Sequence, residues 1–527
     1  MSSGSGSSAI PRVVWAVTAL HVGLLLGYSI LVPALRGPDE HLHVDRARLL
    51  AVGGPDDPGL TTSGEESVSA PVLAARESAP AYLTRSPPVA TDDALPTAER
   101  PRFDDLGPEG ATVSVNGVAR QPPLVHAIGA AVLTAASVLP GWPWPFDRVV
   151  ALLRLVDVAV VAGVPLLAWG TARRLGCPPR SALTAAVLVL AVPQLTHVGS
   201  TVNSDGLLIV LAGVLFLLGA RVVTGDDSVR TAIIAGAALG AALLTSGLAV
   251  VFVPWVAAAY LLARGAAGRP TAALLRLATA AAAAIAAGGW WWVLRLATDG
   301  HLPLGLNASQ VAPADGRSLA FPRALAVLAT SFWGGFGWRE TSLPAGAVVV
   351  ATVVLAGALG VAFWRGRVRV VRLRLALFVL PTVALAGLVA VGAVAISRTG
   401  GDAFAFQGRY LLPGLVGLMV VAAVGLDQLR NRPVPALPFL ALVGAMVMQV
   451  LAVAAVTGRY WAGPSAGERF RAVLAFAPWP PVLVFFAFAG ILALAAWALV
   501  EVGRVVRSSL VPPRRPSQPP RRPLVTT

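Results

Sequence analysis

The chain has 527 residues, of which 56% are hydrophobic and 13% charged, and its formal net charge is +15. A mean hydropathy of +0.73 leaves too little polar surface for a soluble globular protein and indicates a polytopic membrane protein. The single cysteine, Cys177, excludes an intramolecular disulfide and any multi-cysteine metal site. Arginines in cytoplasmic loops account for the positive charge, so the charge does not indicate nucleic-acid binding.

Long apolar runs, separated by arginine-rich or Gly/Pro turns, predict an all-α polytopic membrane protein with about twelve transmembrane helices (eleven to thirteen). The predicted spans are 13–35, 149–171, 182–202, 206–223, 231–247, 248–263, 271–293, 344–364, 375–396, 410–428, 434–457 and 480–502. We interpret the further apolar run 123–140 as an interfacial or re-entrant helix on the outer face. Counting it as a span would place Arg173 and Arg174 outside.

The arginines also set the orientation, because they gather in alternate gaps between the predicted spans. The positive-inside rule then places both termini in the cytoplasm. The absence of lysine and the excess of Ala, Val and Gly suggest a GC-rich bacterial genome, so we expect a multi-pass protein of the bacterial plasma membrane. Its expected parts are a cytoplasmic N-terminus (1–12), a first transmembrane helix (13–35), an extracytoplasmic loop (36–148), a transmembrane helical bundle (149–502) and a disordered basic cytoplasmic tail (503–527).

The first outer segment differs from the cytoplasmic loops in length and charge. Residues 36–148 hold 15 of the 26 acidic residues and 9 arginines. Much of 53–120 is predicted to be loop or short helix, because it is rich in Pro, Ser, Thr and Gly. The outer loops are long and the cytoplasmic ones short, so function is predicted on the outer face.

Ionisable residues recur at the outer ends of the predicted spans. Placing such residues near the membrane costs free energy, so their presence indicates a function. The first group, Pro38-Asp39-Glu40-His41-Leu42-His43, directly follows the first span. Asp39 and His43 are one helical turn apart, so the carboxylate and the imidazole could share a face. Acidic residues are also favoured at a helix N-terminus, and a solvated helix start is the alternative.

Three further boundary sites each have a structural alternative. Arg154 and Asp157, inside the second span, could form an intramembrane ion pair. Asp205, which follows Asn203 between the third and fourth spans, could be a helix N-cap. The segment that begins at Gln121 fits a turn into a helix with proline at its start.

Aromatic residues and arginines mark three more boundaries. Three tryptophans precede Arg295, and an outer loop near 331–340 contains Trp333 and Trp338. Such aromatic residues are also typical of an interface belt. Arg409, at the start of the tenth span, could bind a phosphate through two parallel hydrogen bonds.

The order of these motifs resembles that of the GT-C superfamily of membrane glycosyltransferases, which includes protein O-mannosyltransferases and the aminoarabinose transferase of lipid A. The resemblance is greater still to a bacterial family of predicted membrane proteins of unknown function. It covers roughly residues 13 to 430. The segments that carry it are Pro38-Asp39-Glu40 with His43, Gln121-Pro122-Pro123-Leu124, Arg154-Leu155, Asn203-Ser204-Asp205, Trp290 to Arg295, Ser331 to Trp338 and Gln407-Gly408-Arg409-Tyr410.

The resemblance implies an inverting transfer of a sugar from a polyprenyl-phosphate-linked donor to a cell-envelope acceptor (a glycan, a lipid or a protein) on the outer face. It assigns Asp39 as the catalytic base and Glu40 as its companion acid. The expected substrate-binding residues are His43, Arg154, Asn203, Asp205, Arg295, Trp333, Trp338, Gln407, Arg409 and Tyr410. No cofactor is firmly implied, and a divalent metal at Asp39, Glu40 and Asp205 is left open.

The chain departs from the resemblance at two positions. Relatives commonly carry Lys or Arg near the position of Gln121, and Lys at the position of Ser246. The resemblance therefore leaves contact with the donor phosphate to arginines.

The implied chemistry is coherent, because an acceptor hydroxyl needs a base to take its proton, whereas the departing polyprenyl phosphate is already a stable anion that needs cations. Two other functions stay open: a transporter or flippase of a lipid-linked molecule, and a non-catalytic cell-envelope scaffold. A transporter would be expected to place acids in the middle of its spans. An enzyme requires Asp39, Asp205 and Arg409 to converge on one outward-facing cavity.

Overall fold

The computed structural model describes residues 10–53, 67–81, 86–107, 112–263, 270–300, 321–366, 369–398, 407–429 and 434–510. Its helices are α1 (Arg12–Leu31), α2 (Glu40–Gly53), α3 (Ala70–Ser78), α4 (Leu124–Ala136), α5 (Phe146–Val161), α6 (Val164–Arg174), α7 (Pro179–Leu190), α8 (Pro193–Val198), α9 (Asp205–Val223), α10 (Val229–Leu243), α11 (Phe252–Leu261), α12 (Pro270–Ala284), α13 (Trp290–Asp299), α14 (Phe321–Gly334), α15 (Ala345–Arg365), α16 (Arg369–Arg398), α17 (Leu415–Asp427), α18 (Leu437–Tyr460), α19 (Ala466–Phe476) and α20 (Pro481–Leu510).

Short irregular elements connect some of these helices. The 3-10 segment Gly247–Val251 leads into α11, and the 3-10 segment Gly408–Gly414 leads into α17. The π-helical turn Ile285–Gly289 joins α12 to α13. Two antiparallel strand pairs are present among the described residues. They are β1 (Ser67–Ser69) with β2 (Thr112–Val115), and β3 (Gly335–Phe336) with β4 (Thr341–Ser342).

Nine helical segments of the described chain are long and apolar enough to cross a membrane. They are Arg12–Leu31, Phe146–Arg174, Asp205–Val223, Thr271–Thr298, Ala345–Arg365, Val370–Gly392, Gly408–Asp427, Leu437–Tyr460 and Pro481–Ser509. The all-α polytopic architecture is thereby confirmed, and each of these segments overlaps one predicted span. The predicted count of twelve is not confirmed, because the predicted spans 182–202, 231–247 and 248–263 fall on shorter apolar helices.

The physical reason for the lower count is helix length. Helix α10 has 15 residues and is about 22 Å long at 1.5 Å per residue, less than the hydrocarbon thickness of roughly 30 Å. The predicted span 182–202 is interrupted, since α7 ends at Leu190 and α8 begins at Pro193. Proline lacks an N–H donor and disfavours helical geometry in the residue before it, here Val192.

One interfacial helix is expected among the segments predicted to lie outside, and further helices form there. The predicted interfacial run 123–140 forms α4, while α14 and α19 lie in stretches predicted to be outer loops. The predicted tail starts later, because α20 continues to Leu510. Residues 511–527 of that tail, like residues 1–9, lie outside the described part of the chain.

Helices α10 and α12 approach each other closely through glycines. A Cβ atom at Gly240 would lie 2.4 Å from the carbonyl oxygen of Ala284, and one at Gly288 would lie 2.1 Å from that of Gly240. Only residues without a side chain allow this approach, as is common between membrane helices.

Helix α1 packs against α5, α5 packs against α9, and α9 packs against the segment Gly408–Gly414. Many of the buried charged residues lie where these elements meet, among them Glu40, Arg154, Asp157, Asp205 and Arg409. Buried charges are costly unless they are paired, so this region is the candidate functional site.

Candidate functional site

The loop between α1 and α2 carries Asp39 in an unusual backbone conformation. Leu35 and Asp39 both have left-handed backbones, with φ of 61° and 60°. Such a conformation costs a non-glycine residue roughly 1–3 kcal/mol and persists only where the surroundings impose it. The loop is therefore held by its contacts.

Glu40 provides the first of these contacts. Its two carboxylate oxygens accept hydrogen bonds from Nε and Nη2 of Arg154, each at 2.7 Å, and also from the backbone N–H groups of Gly37 and Val202, each at 3.0 Å. Arg154 donates its remaining hydrogen bonds to the carbonyl oxygens of Ser29, Val32 and Pro33 at the end of α1. Both partners of the ion pair are almost fully buried.

Arg36 anchors the other side of the same loop. Its guanidinium pairs with the carboxylate of Glu340, which also lies 3.5 Å from Nη2 of Arg459. Burial raises the pKa of Glu340, and the two arginines oppose that rise. The contact ties the loop to the β3–β4 hairpin, whose Gly337 N–H donates to Nε2 of His197.

Arg409 lies between two carboxylates. Its Nη2 atom donates to Oδ2 of Asp39 at 2.6 Å and to the hydroxyl of Tyr410 at 3.0 Å, while Nε lies 3.7 Å from Oδ2 of Asp205. The guanidinium also stacks over the Tyr410 ring, 4.9 Å from its centroid. Within the described residues, Oδ1 of Asp39 and Nε of Arg409 have no hydrogen-bond partner although both are buried.

These groups border one cavity, whose volume is about 40 Å³. Its lining residues are Asp39, His43, Gln121, Asn203, Ser204, Asp205, Ser246, Gly247, Leu248, Arg409 and Tyr410. Six of the residues expected from the sequence thus meet in one place. The two positions at which the chain departs from the resemblance, Gln121 and Ser246, lie in the same cavity.

His43 does not pair with Asp39 through its side chain. Its Nδ1 atom lies 3.0 Å from Nε2 of His126 on α4, and the two rings are nearly parallel. Burial is the main cause that lowers the pKa of His43 to about 3, with the charge of Arg409 adding to the effect, and burial lowers the pKa of His126 well below its usual value. Both imidazoles are therefore neutral near pH 7. Sequence reasoning missed His126, because nothing local links it to a residue 83 positions away.

Asn203 holds the start of α9. Its side-chain oxygen accepts from the backbone N–H groups of Asp205 and Gly206, and its amide donates to the carbonyls of Val198 and Thr201. This geometry fixes Asp205 in the first helical turn. Asn203 therefore positions Asp205 beside Arg409 as well as lining the cavity.

The other expected residues do not line this cavity. Glu40 and Arg154 are used in the ion pair beneath it. Arg295 stacks over Trp291, 5.5 Å from the ring centroid, and Nε1 of Trp333 donates to the hydroxyl of Thr352. Gln407 is buried ahead of Arg409, and Trp338 lies in the β3–β4 hairpin.

The arrangement does not form the metal site that the sequence left open. Glu40 is directed at Arg154, and the guanidinium of Arg409 lies where a cation between Asp39 and Asp205 would be. Across the described ranges, three or more His, Cys, Asp or Glu residues nowhere group closely enough to hold a metal ion.

Comparison with known proteins gives the following matches. No curated protein matches the sequence. Among solved structures, the chain is similar to ArnT from Cupriavidus metallidurans bound to undecaprenyl phosphate, with 15% identity and a TM-score of 0.48 over 94% of this chain and 75% of that one. It is also similar to the archaeal oligosaccharyltransferase AglB from Archaeoglobus fulgidus in complex with an inhibitory peptide and a dolichol-phosphate, with 14% identity and a TM-score of 0.42. That match covers 86% of this chain and 56% of the oligosaccharyltransferase.

The sequence also matches a family model described as "Predicted membrane protein (DUF2142)". The match covers residues 22–418, a range that contains every residue of the cavity described above. The chain therefore belongs to this family of predicted membrane proteins.

Proposed function

We propose that the protein is a membrane glycosyltransferase that moves a sugar from a polyprenyl-phosphate-linked donor to a cell-envelope acceptor. In this proposal the cavity faces the extracytoplasmic side, both termini are cytoplasmic, and the membrane is the bacterial plasma membrane. The observation that carries the proposal is the contact between Asp39 and Arg409, which are 370 positions apart in the sequence. A carboxylate and a guanidinium at the ends of membrane spans are the two groups that this reaction needs.

Asp39 acts as the general base. Its Oδ2 atom is held by Arg409, whereas Oδ1 is buried and has no hydrogen-bond donor among the residues that the structure describes. As the acceptor oxygen attacks the anomeric carbon, its proton passes to Oδ1 of Asp39. The bond between the anomeric carbon and the phosphate oxygen breaks at the same time, so a single displacement inverts the configuration.

Arg409 binds the phosphate of the donor and of the leaving group. A guanidinium can form two parallel hydrogen bonds to phosphate, and it stabilises the negative charge that grows on the departing polyprenyl phosphate. In the structure Arg409 is paired with Asp39. An incoming phosphate competes for that guanidinium, which frees the carboxylate for the acceptor.

Glu40 and Arg154 support the site without contacting substrate in this proposal. The hydrogen bonds of Glu40 fix the residue next to Asp39 and hold the strained loop. This assignment replaces the roles that the resemblance implies for them, because both are fully engaged with each other and with the backbone.

Transfer in membranes tests the proposal. Labelled polyprenyl-phosphate sugars are incubated with membranes containing the wild type, Asp39→Asn or, as a control, Asp92→Asn, which changes an exposed acid of the outer segment. We expect transfer with the wild type and the control, and none with Asp39→Asn at equal expression. Undiminished transfer by Asp39→Asn would remove Asp39 from the base role.

A further inference from the structure

A second cleft lies on the outer segment, away from the cavity that contains Asp39. Its cavity volume is about 220 Å³, and it is bordered by Arg48, Phe103, Asp104, Thr134, Trp142 and Trp144. The proposed reaction uses none of these residues.

Two helices connect this cleft to the catalytic cavity. Helices α2 and α4 pack side by side, and the His43–His126 contact joins them at the cavity. The same pair reaches the cleft at its other end, through Arg48 on α2 and Thr134 on α4. Arg48 lies eight residues beyond Glu40 on α2, which is about 12 Å of helix.

The aromatic rings of the cleft are held in place by their neighbours. The indoles of Trp142 and Trp144 lie 5.6 Å apart between centroids. The guanidinium of Arg148 stacks 4.4 Å from the centroid of the Trp144 ring, and that of Arg48 stacks 4.2 Å from the centroid of Phe103. Both tryptophans are only partly exposed. The wall is thus preformed, which reduces the entropy lost when a ligand binds.

The mixture of side chains favours one class of ligand. A sugar ring presents C–H groups on its faces, which stack on aromatic rings, and hydroxyls at its edges, which need donors and acceptors. Arg48 can donate, Asp104 can accept and is 63% exposed, and Thr134 can do both. Simple burial of these tryptophans in a bilayer would not require the charged pair Arg48–Asp104 beside them.

We propose that this cleft binds a carbohydrate, and that the bound sugar belongs to the glycan acceptor of the proposed transfer. The role in the acceptor rests on the proposed function, whereas carbohydrate binding itself does not. The proposal assigns the acceptor to the glycan class.

Binding measurements on the full chain in nanodiscs test this proposal. An array of neutral and acidic oligosaccharides identifies the best ligand, which is then titrated calorimetrically. We expect Trp142→Ala combined with Trp144→Ala to weaken binding about tenfold or more. Trp364→Ala serves as the matched control, because Trp364 is 75% exposed and lies on α15. Phenylalanine at positions 142 and 144 should restore most of the affinity, which a merely unfolded variant would not allow.

Two further measurements separate this proposal from the proposed function and from a bilayer contact. Arg409→Gln should keep oligosaccharide binding, and the double tryptophan variant should keep binding of undecaprenyl phosphate. Absence of any glycan ligand for the wild type, or equal affinity in the double variant, would overturn the proposal. So would quenching of these tryptophans by lipids with brominated acyl chains in the absence of glycan binding, which would assign the cleft to the bilayer.

Discussion

Glu40 and Arg154 form an ion pair with two contacts of 2.7 Å, directly next to the residue proposed as the catalytic base. Glu40 lies at the N-terminus of α2 and Arg154 inside α5, so the pair joins the outer segment to the bundle. It fixes the loop that holds Asp39 at a positive φ. In the proposed mechanism this pair holds the site in place and does not contact substrate.

Removal of one partner of this pair should destabilise the protein strongly. Glu40→Gln leaves the guanidinium of Arg154 buried without its counter-charge, and breaking a buried pair costs about 3–5 kcal/mol of unfolding free energy. Unfolding in detergent micelles measures the change. Glu501→Gln is the control, because its partners Arg12 and Arg504 are 72% and 62% exposed and such pairs each contribute about 1 kcal/mol or less. Equal effects of the two substitutions would contradict a central role for Glu40.

Arg409 should determine the affinity for the donor phosphate. Arg409→Gln removes hydrogen bonds from a charged group to phosphate, each worth about 1.5–3 kcal/mol, so binding should weaken at least tenfold. Arg409→Lys should restore the charge but little of the affinity, because lysine cannot form the two parallel hydrogen bonds. Binding of undecaprenyl phosphate to the purified protein measures this, with Arg230→Gln, at an exposed arginine of α10, as the control. Full affinity in Arg409→Gln would place the phosphate elsewhere.

Added cations at Gln121 and Ser246 should strengthen donor binding. Both residues line the cavity of Asp39 and Arg409, where a lysine ammonium would meet the phosphate. We expect Gln121→Lys and Ser246→Lys each to raise the affinity for undecaprenyl phosphate several-fold at low salt, with a smaller gain at high salt. Ser508→Lys, on the exposed end of α20, is the control for the added charge. A gain as large in Ser508→Lys would show only general attraction to the lipid.

Acid should destabilise the protein through its buried histidines. Burial is the largest cause that lowers the pKa of His41 to about 3, whereas in the unfolded chain it is near 6.5. The unfolded state therefore binds more protons, so the contribution of His41 is complete above pH 6.5 and is lost as pH falls towards 3. Between pH 6.5 and 5 this loss is about 2 kcal/mol.

His41→Leu tests this pH dependence. Unfolding free energy measured at several pH values should fall less steeply below pH 6.5 in the variant than in the wild type. Between pH 7 and 8 the two curves should run parallel, which controls for any constant effect of the substitution. Parallel curves down to pH 5 would show that His41 titrates normally in the folded protein.

The sequence by itself determines the class of the protein and shows that charged residues recur at the ends of its apolar runs. Hydropathy over about twenty residues depends only on local composition, so α1, α9 and α18 could be predicted closely. Asp39, Asp205 and Arg409 could be selected because charged residues at span ends are costly without a use.

Only the tertiary structure decided which of these charges meet. Arg154 and Arg409 both lie near the ends of predicted spans. Arg154 donates its hydrogen bonds to Glu40 and to backbone carbonyls, whereas Arg409 lines the cavity. His43 pairs with His126 rather than Asp39, because the left-handed backbone at Asp39 turns the chain before α2 begins. Pairings between residues tens to hundreds of positions apart depend on how helices pack and rotate, and no local pattern encodes that rotation.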